Sequence, residues 1–583
     1  MTVAVRRHFV LMLGSAVACC TLLAGTAMAG TAMAGTSTAP AGHWGNAKKV
    51  PGIGKLEAGG NSETDSVFCA TPGNCAAGGT YTDSGNHGQV FVADEKHGAW
   101  GKAVPVPAPD PAAMFPQVTS LSCGVAGNCA AVGSFSDSRG RSHSLVVNEV
   151  KGTWGAASQL PGETMFTSDG NMGIESVSCA AAGDCSAGGF YTKDGGRIQA
   201  FVADEGSGGW GGPQALRMPV LNATGGGIQS VSCPSPGNCG GAGQYFDDRG
   251  ISQALVVDET NGTWGTSQQV PEMSMLNPTR SEADSVSCPS AGNCGVAGAY
   301  ADGQGNQQVF ITDEVKGTWR TPQQVPGTGA LNTGGNAVVT QISCGSPGNC
   351  AVVGSYTDKN GHTHGFVADE RHGTWQAVRK LASTGAFSAS TNTGAASVSC
   401  PSTGNCAVGG FALIGKVVHL FTVSEVNGSW GRARELPGSA LLSKGRLGDV
   451  ASVSCATPGN CVAGGDYIDS ALHGHEHAFV ADSSTMTATS VALSTASIKF
   501  GHEQAEKISV RVTARTGGTA GGKVTVTADK HTVCVVTLAG GKGSCALAAR
   551  KLNPGSYQLA AAYGGSQTYA ASASGGKTLT VTK

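Results

Sequence analysis

The stretch Ser230-Val-Ser-Cys-Pro-Ser-Pro-Gly-Asn-Cys239 decides the fold, because a version of it occurs eight times along the chain. The first cysteines of the copies are Cys69, Cys123, Cys179, Cys233, Cys288, Cys344, Cys400 and Cys455. A nearly constant period of roughly 55 residues indicates stacked supersecondary units. The sequence therefore predicts a repeat protein in which every unit contributes the same set of elements.

Each copy is typical of a strand, a tight turn and a second strand. The β-branched Val231 favours a strand, whereas Pro-Ser-Pro-Gly-Asn favours a turn. The two cysteines should then face each other across the hairpin, where a disulfide can form. Zinc is the competing interpretation, but the spacing is not C-x2-C and no histidine accompanies the pairs.

Nine disulfides are predicted, eight of them within the repeated hairpins and one near the C-terminus. The predicted pairs are Cys69 with Cys75, Cys123 with Cys129, Cys179 with Cys185, Cys233 with Cys239, Cys288 with Cys294, Cys344 with Cys350, Cys400 with Cys406, Cys455 with Cys461, and Cys534 with Cys545.

One period, for example from Cys233 to Cys288, holds four strand patterns. After the cysteine hairpin come a strand with Gly at its fourth position, a strand ending in Asp-Glu, and a strand that carries Trp. Four antiparallel strands in a unit of this length are typical of one blade of a β-propeller. The predicted fold is therefore all-β, with an eight-bladed propeller of four-stranded blades over residues 42–482.

The Trp strands predict how the ring closes. The eighth repeat has a cysteine hairpin and a third strand but no Trp strand, whereas Trp44 precedes the first hairpin. A propeller whose first and last blades do not join leaves exposed strand edges. We therefore expect residues 42–51 to pair beside residues 477–482 as the outer strand of the last blade.

The N-terminus is typical of an exported protein. Arg6 and Arg7 precede an apolar run, and Ala27-Met-Ala29 is typical of a cleavage site, so residues 1–34 are interpreted as a secretory signal peptide. Twin-arginine export and a lipoprotein site at Cys19 are alternatives. Residues 35–41 are predicted to be a linker. Twenty cysteines fit an oxidising compartment, and no later apolar run is long enough to cross a membrane, so we expect a secreted protein.

The C-terminal part has a different pattern. Residues 483–489 are rich in Ser and Thr and are predicted to be a linker. Residues 490–583 contain Gly522-Lys-Val-Thr-Val526 and the run Leu552-Asn-Pro-Gly-Ser-Tyr-Gln-Leu-Ala-Ala-Ala-Tyr-Gly-Gly565. This segment resembles the bacterial immunoglobulin-like repeat domains of secreted and surface proteins. The resemblance implies a β-sandwich that acts as a spacer or adhesive module without activity of its own.

Two groups of acidic and polar residues recur in the repeats. Asp-Glu at the end of the third strand could do acid–base work, but a pair repeated around a ring favours turn chemistry. The segment Asp-Glu-x-x-Gly-Thr-Trp is similar to the Asp-box of sialidases, although its Asp-to-Trp distance is one residue too long. A Gln or His precedes the third-strand core and could line a repeated ligand ring, or could bond the backbone of a neighbouring strand. These residues are Gln89, His143, Gln199, Gln253, Gln308, His364, His419 and His477.

Three alternating histidines, His473, His475 and His477, suggest zinc, but in-line strand positions converge poorly on one ion, so a solvated insertion is favoured. No catalytic, cofactor or metal site is predicted. The net charge of −2 without a basic stripe gives no support for nucleic-acid binding. We predict a secreted, monomeric, non-enzymatic binding or adhesion protein that recognises extracellular glycan or protein through its loop face. The alternative is a propeller glycoside hydrolase or lyase.

Overall fold

A computed structural model describes residues 42–583, with gaps at 111, 167–170, 194–195, 207–208, 221–222, 383–386, 444–447, 470–473, 486, 515–518, 530, 567–568 and 571. The predicted signal peptide and the linker over residues 35–41 lie outside the described residues. Strands account for 64% and helices for 5% of the structure, so the predicted all-β class is confirmed.

Eight sheets, numbered 1 to 8 here by the order of their cysteine hairpins, repeat one topology in which each strand pairs antiparallel with the next. The first strands are Ser62–Thr71, Met114–Val125, Met172–Ala181, Gly225–Ser235, Arg280–Ser290, Ala337–Ser346, Asn392–Ser402 and Gly448–Thr457. The second strands are Asn74–Thr82, Asn128–Ser136, Asp184–Lys193, Asn238–Phe246, Asn293–Ala301, Asn349–Thr357, Asn405–Ile414 and Asn460–Ile468. The third strands are Gly88–Lys96, Ser142–Val150, Arg197–Gly206, Ser252–Thr260, Gln307–Asp313, Thr363–Arg371, Val417–Val426 and Glu476–Thr485.

The outer strand of most sheets is split, because the chain bends after the Trp and then returns to the third strand. Its segments are Ala99–Trp100 and Val104–Val106, Thr153–Trp154, Gly209–Trp210 and Gln214–Ala215, Thr263–Trp264 and Gln268–Gln269, Gln323–Gln324, Thr374–Trp375 and Arg379–Lys380, Ser429–Trp430 and Arg434–Glu435, and Gly42–Trp44 and Lys48–Lys49. Short helical turns begin the connections to the next sheet. They are Ile53–Leu56, Glu163–Phe166, Met273–Leu276, Thr328–Leu331 and Ser439–Ser443. None of the described helices has the length and apolarity that crossing a membrane requires.

The serines of the Ser-Val-Ser-Cys motif join each sheet to the next. Ser230 Oγ accepts the backbone N–H of Val286 at 3.1 Å, and Ser232 Oγ accepts that of Cys288 at 2.9 Å. The same bonds connect the eighth sheet to the first, where Ser454 Oγ accepts the N–H of Cys69 at 2.9 Å. The first strands therefore form a closed cyclic series, which is the arrangement of a β-propeller.

The N-terminal strand lies where the repeat count predicts it. Gly42, His43 and Trp44 pair antiparallel with Thr485, Ser484 and Ser483, and Lys48 and Lys49 pair with Val480 and Phe479. Trp44 is buried. The predicted pairing of the Trp44 segment with the last repeat is therefore confirmed, although Gly42–Trp44 pair with residues 483–485, just beyond the predicted range of 477–482.

In the segment predicted as a linker, residues 483–489, all the described residues belong to two strands, and residue 486 lies outside the described residues. Residues 483–485 end the strand Glu476–Thr485 and pair with Gly42–Trp44, and Thr487 begins the strand Thr487–Leu493. The composition is rich in Ser and Thr, but these residues also suit strand edges when partner strands satisfy their backbone groups. The described strands on the two sides of residue 486 therefore leave no longer linker segment between the propeller and the C-terminal part.

The disulfides follow the predicted pairing throughout. The eight hairpin bonds join Cys69 to Cys75, Cys123 to Cys129, Cys179 to Cys185, Cys233 to Cys239, Cys288 to Cys294, Cys344 to Cys350, Cys400 to Cys406 and Cys455 to Cys461. The ninth bond joins Cys534 to Cys545 and so connects the strands His531–Leu538 and Lys542–Ala546. The structure therefore supports the disulfide prediction for the hairpin cysteines over the zinc alternative.

In six hairpins, the Asn before the second cysteine accepts a backbone N–H from the turn that leads to the Trp strand. In sheet 3, Cys179 and Cys185 are directly opposite each other in the strand register. In sheet 5, Asn293 precedes Cys294, and its Oδ1 atom accepts the N–H of Lys316 at 3.2 Å. In sheet 6, Asn349 precedes Cys350 and accepts the N–H of His372 in the same way. The hairpin end is therefore bonded to the turn that leads to the Trp strand.

Replacing one hairpin pair, Cys233→Ala with Cys239→Ala, is expected to lower the free energy of unfolding by about 2 kcal/mol, because the closed loop is short. Chemical denaturation of the two proteins measures the difference.

Peptide mapping of the native protein without reductant should recover eight C-x5-C peptides, each closed on itself. Bridges between repeats would contradict the assignment.

The C-terminal part consists of two sheets around one hydrophobic cluster. Along Gly555–Tyr563, the side chains of Leu559, Ala561 and Tyr563 are buried, while Gln558 and Ala562 are exposed, so one face of this strand packs in the core. The strands are Thr487–Leu493, Ser497–Lys499, Lys507–Ala514, Gly522–Ala528, His531–Leu538, Lys542–Ala546, Gly555–Tyr563, Ser572–Ala573 and Lys577–Thr582, and a 3-10 turn spans Glu503–Ala505.

Candidate functional site

The Gln and His residues considered as a ligand ring lie beside the turn between the second and third strands of their own sheet. Gln308 Nε2 donates to Asp302 Oδ2 at 3.1 Å, and His364 Nε2 lies 2.9 Å from Asp358 Oδ2. The same contact joins Gln89 to Asp83, His143 to Asp137, Gln253 to Asp247 and His477 to Asp469. His419 contacts Glu435 instead, and Gln199 is half-buried opposite Tyr191. Six of the eight side chains therefore brace the turn of their own sheet and do not bond a neighbouring strand's backbone.

Two of these histidines are held by a second carboxylate. His143 Nδ1 lies 2.8 Å from Glu163 Oε1, and His477 Nδ1 lies 3.0 Å from Glu57 Oε1. Glu57 and Glu163 are buried, and Glu57 also forms an ion pair with Lys49. Because both nitrogens of each ring already face carboxylates, neither imidazole has a free nitrogen to offer a ligand.

The proposed histidine cluster is only partly described. His473 lies outside the described residues, while the ring of His475 packs against Gly60 and His477 belongs to the contacts above. Within the described ranges, no three His, Cys, Asp or Glu side chains come close enough together to hold a metal ion.

The Asp of each Asp-Glu pair accepts a hydrogen bond from the Trp of the next sheet. Trp264 Nε1 lies 3.0 Å from Asp204 Oδ1, and Trp430 Nε1 lies 2.7 Å from Asp369 Oδ1. The other contacts join Trp100 to Asp482, Trp154 to Asp94, Trp210 to Asn148, Trp319 to Asp258 and Trp375 to Asp313. The sequence predicts turn chemistry for these pairs, and this is wrong for the Asp, which connects two sheets.

Seven sheets have a Glu at the end of the third strand, and each of these glutamates is buried at the junction with the preceding sheet, whereas the Asp before most of them faces the next sheet. Burial raises the pKa of Glu259 to about 7, and the negative charges of Asp204 and Asp184 add to the shift. The pKa is likewise raised to about 7 for Glu95, Glu149, Glu314 and Glu425, and to about 8 for Glu370. Glu205 faces Asn148, whose amide donates to its carboxylate, and its pKa is also raised by burial.

A cleft of about 280 Å³ opens between sheets 1 and 2, on the face that carries the disulfide hairpins. Asp94 and Glu149 line it together with cysteines of both hairpins, which are Cys75, Cys123 and Cys129. Glu149 is only 3% exposed, and its Oε1 atom has no hydrogen-bond partner among the described residues. A buried oxygen without a partner is costly unless another group supplies a donor, and the group nearest to Glu149 in the cleft floor is the carboxyl of Asp94.

Most of the predicted disulfide cysteines lie away from this cleft. Cys294 and Cys350 belong to the hairpins of sheets 5 and 6, and Cys545 belongs to the C-terminal part. None of these three is among the residues that line the cleft. Their disulfides are therefore structural, and only the hairpins of sheets 1 and 2 contribute to the candidate site.

The rim of this cleft is basic. Lys96 Nζ lies 3.3 Å from Asp94 Oδ2 and donates to Gly152 O at 2.9 Å. Lys151 and His97 also line the cleft and are exposed, and each sits at a turn with positive φ. The cleft thus combines carboxyl acceptors below with ammonium donors above.

A second cavity occupies the equivalent position between sheets 7 and 8, but its volume is only about 10 Å³. Ser424 and Ser483 stand there at the positions of Asp94 and Glu149, and Trp44 forms part of the wall. The side chains at a junction between two sheets therefore decide whether an open cleft is present there.

The junction residues could not all be recognised from the sequence. The recurrence of Asp-Glu before Trp is visible in it, as is the alternation of serines before the first cysteine. Neither pattern shows that the hydrogen-bond partner of each Trp or Ser lies in a neighbouring repeat. The cleft residue Lys151 carries no sequence signal, since Lys316 occupies the same position in sheet 5.

No family model matches this chain, and no curated protein matches it. A microbial sialidase is 11% identical over 53% of this chain with a TM-score of 0.33, and the chain spans 65% of that protein's length. A polysaccharide lyase of family PL25, an ulvan lyase, is 11% identical over 63% of this chain and 90% of its own, with a TM-score of 0.36. The six-bladed fucose-binding lectin of Aleuria aurantia is 11% identical over 56% and 96%, with a TM-score of 0.28.

Proposed function

We propose that this chain is a secreted, non-enzymatic glycan-binding protein, which holds a sugar in the cleft between sheets 1 and 2. In this proposal the eight sheets are the blades of one closed propeller, and residues 490–583 are an immunoglobulin-like spacer. The observation that carries the proposal is the cleft of about 280 Å³ itself, with the carboxyl groups of Asp94 and Glu149 at its floor and Lys151 at its rim.

The chemistry of the cleft suits a polyhydroxylated ligand. Sugar hydroxyl groups donate hydrogen bonds to carboxyl oxygens such as those of Asp94 and Glu149, and accept them from lysine. Lys151 offers such a donor at the rim. The cleft lies near the lower limit of ligand-pocket volumes, which favours one sugar unit of a longer glycan. A protein partner would need roughly 800 Å² of its surface covered, far more than this cleft offers.

The proposal moves the binding site from the loop face, where the sequence analysis expects it, to the disulfide-hairpin face. On the loop face, most of the Gln and His ring contacts the turn aspartates, so those side chains are already engaged. The disulfides hold the cleft walls in place, and a rigid wall lowers the entropy that binding costs. Nine disulfides also favour an extracellular protein.

Replacing Lys151 by Ala is expected to weaken glycan binding about tenfold, because one charge-assisted hydrogen bond to the ligand is lost. A glycan array of the full chain first identifies the ligand, and titration calorimetry then measures the affinity. Lys316→Ala is the matched control, since Lys316 has the same positive φ and the same backbone bond to an Asn but lies at another turn. Equal losses in both variants would contradict the site.

A second pair of variants tests the cleft by filling it. Ala126 lines the cleft and Ala182 occupies the equivalent hairpin position in sheet 3; both are exposed. Ala126→Phe is expected to abolish binding, whereas Ala182→Phe should leave it unchanged. Cleavage of a bound glycan that depends on Glu149 would establish the alternative, a carbohydrate-active enzyme.

A further inference from the structure

Six junctions between neighbouring sheets bring two carboxyl groups together. At each one, the Glu of one sheet faces the Asp of the preceding sheet. The pairs are Glu95 with Asp482, Glu149 with Asp94, Glu259 with Asp204, Glu314 with Asp258, Glu370 with Asp313 and Glu425 with Asp369. The Trp of the later sheet donates to the same Asp, so one indole serves a site with two carboxyl groups. Some aspartates have a further donor, and Gln214 Nε2 donates to Asp204 Oδ2 at 3.1 Å.

The burial of these groups means that both members of a pair cannot ionise without cost. The glutamates are 3–5% exposed, and two like charges in a poorly solvated site repel each other strongly. Glu259 Oε2, Glu370 Oε2 and Asp258 Oδ1 are buried without a hydrogen-bond partner among the described residues. One proton shared within a pair would neutralise a charge and supply the missing donor.

The chain contains its own comparison at two junctions. Between sheets 2 and 3, Asn148 replaces the Asp, and its amide donates to Glu205. Between sheets 7 and 8, Ser424 and Ser483 replace both acids. A neutral donor thus occupies the place where the other junctions require a proton.

We infer that each carboxyl pair takes up one proton as the surroundings acidify, and that these protons tighten the ring of sheets. The ring is then a pH-responsive scaffold that is more stable in a mildly acidic medium than at pH 8. This inference does not depend on which ligand the protein binds.

The charged groups around each carboxyl pair determine which glutamate shows the effect of pH on stability most clearly. Lys48 faces Glu95, Lys96 faces Glu149, Arg320 faces Glu370, and Arg371 lies 3.6 Å from Glu425, so a cation offsets part of the repulsion there. Glu259 is faced by Asp204 and Asp184, and Glu314 is faced by Asp258. Among the described residues, no Lys or Arg charge lowers the pKa of either glutamate. Glu259 is therefore the best reporter.

The direction follows from the raised pKa of Glu259. It is 4.5 for an ordinary Glu and about 7 in the folded chain, so the folded state binds the proton more tightly. The stability gained from this proton is fully present below pH 4.5 and is lost as pH rises through about 7. The aspartates of the turns between the second and third strands have the opposite effect on stability as pH changes. Their hydrogen bonds lower the pKa of Asp358 to about 2, so its contribution is lost only as pH falls from 3.8 through 2.

One pair, Asp94 and Glu149, is also the floor of the proposed sugar cleft. Here the inference extends to ligand binding, and this extension alone rests on the proposed function. A protonated Glu149 is a hydrogen-bond donor as well as an acceptor, so glycan affinity should change over the same pH range. Melting curves measured without glycan distinguish failure of the scaffold inference from failure of the proposed function.

The test is the melting temperature of the full chain in glycan-free buffers from pH 4.5 to 8.5. We expect a value about 5 °C higher at pH 5.5 than at pH 8.0. Glu259→Gln should raise the melting temperature at pH 8.0 and leave it unchanged at pH 5.0, because the amide is neutral throughout. Asn148→Asp should lower the melting temperature at pH 8.0 and leave it unchanged at pH 5.0, because it creates a seventh carboxyl pair. A flat profile, or a Glu259→Gln profile parallel to that of the native chain, would overturn the inference.

Discussion

Replacing Trp44 by Ala is expected to lower the free energy of unfolding by about 3–5 kcal/mol, as for other buried tryptophans. Trp44 packs in the core between sheets 7 and 8, where Leu436, Val453 and Phe479 are also buried. The segment that carries it supplies the outer strand of sheet 8, although the two lie at opposite ends of the repeat region. Its loss would leave the third strand of sheet 8 with an open edge.

Removing residues 42–51 should have a larger effect, because main-chain pairing is lost together with the Trp. We expect a lower melting temperature and self-association through the exposed edge, which sedimentation velocity or light scattering would detect. His43→Ala is the matched control, since His43 is exposed and pairs with Ser484 through its backbone. A monomeric deletion variant with unchanged stability would contradict closure of the ring by this strand.

The second large effect is expected at the recurring glycine of the second strand. In sheet 4, a Cβ on Gly243 would overlap the carbonyl oxygen of Gly227 on the first strand. The pairing register shifts between Ile228 and Ser230, and this bulge turns the carbonyl towards the glycine. Equivalent bulges and overlaps occur at Gly79, Gly133, Gly189, Gly298, Gly354, Gly410 and Gly465.

Gly243→Ala should therefore cost about 3 kcal/mol or more, because backbone atoms must move to admit the methyl group. Urea denaturation of the variant and the native chain measures the difference. The control is Gly206→Ala, at an exposed strand position where an added Cβ meets nothing within 4 Å. We expect that change to be neutral or slightly stabilising. Similar losses at both positions would show that the bulge is not the reason for the glycine.

Sequence reasoning was most successful where the decisive information is local or can be counted. The cysteine hairpins could be predicted because turn residues separate two strand patterns within one short stretch. Pairing of the Trp44 segment with the last repeat could be predicted because eight hairpins require eight Trp strands. The expected linker over residues 483–489 was wrong, because its composition alone does not reveal that Ser483 and Thr489 find partner strands.

The sequence by itself determined the repeat, its strands and its disulfides, because the residues that form each of them lie within one repeat. Only the tertiary structure decided which groups meet between periods. Trp264 contacts Asp204 across 60 residues of chain, and Trp100 contacts Asp482 across 382. The pairing of carboxyl groups and the open cleft beside Glu149 depend on these meetings, because burial and neighbouring charge arise only when two sheets pack together.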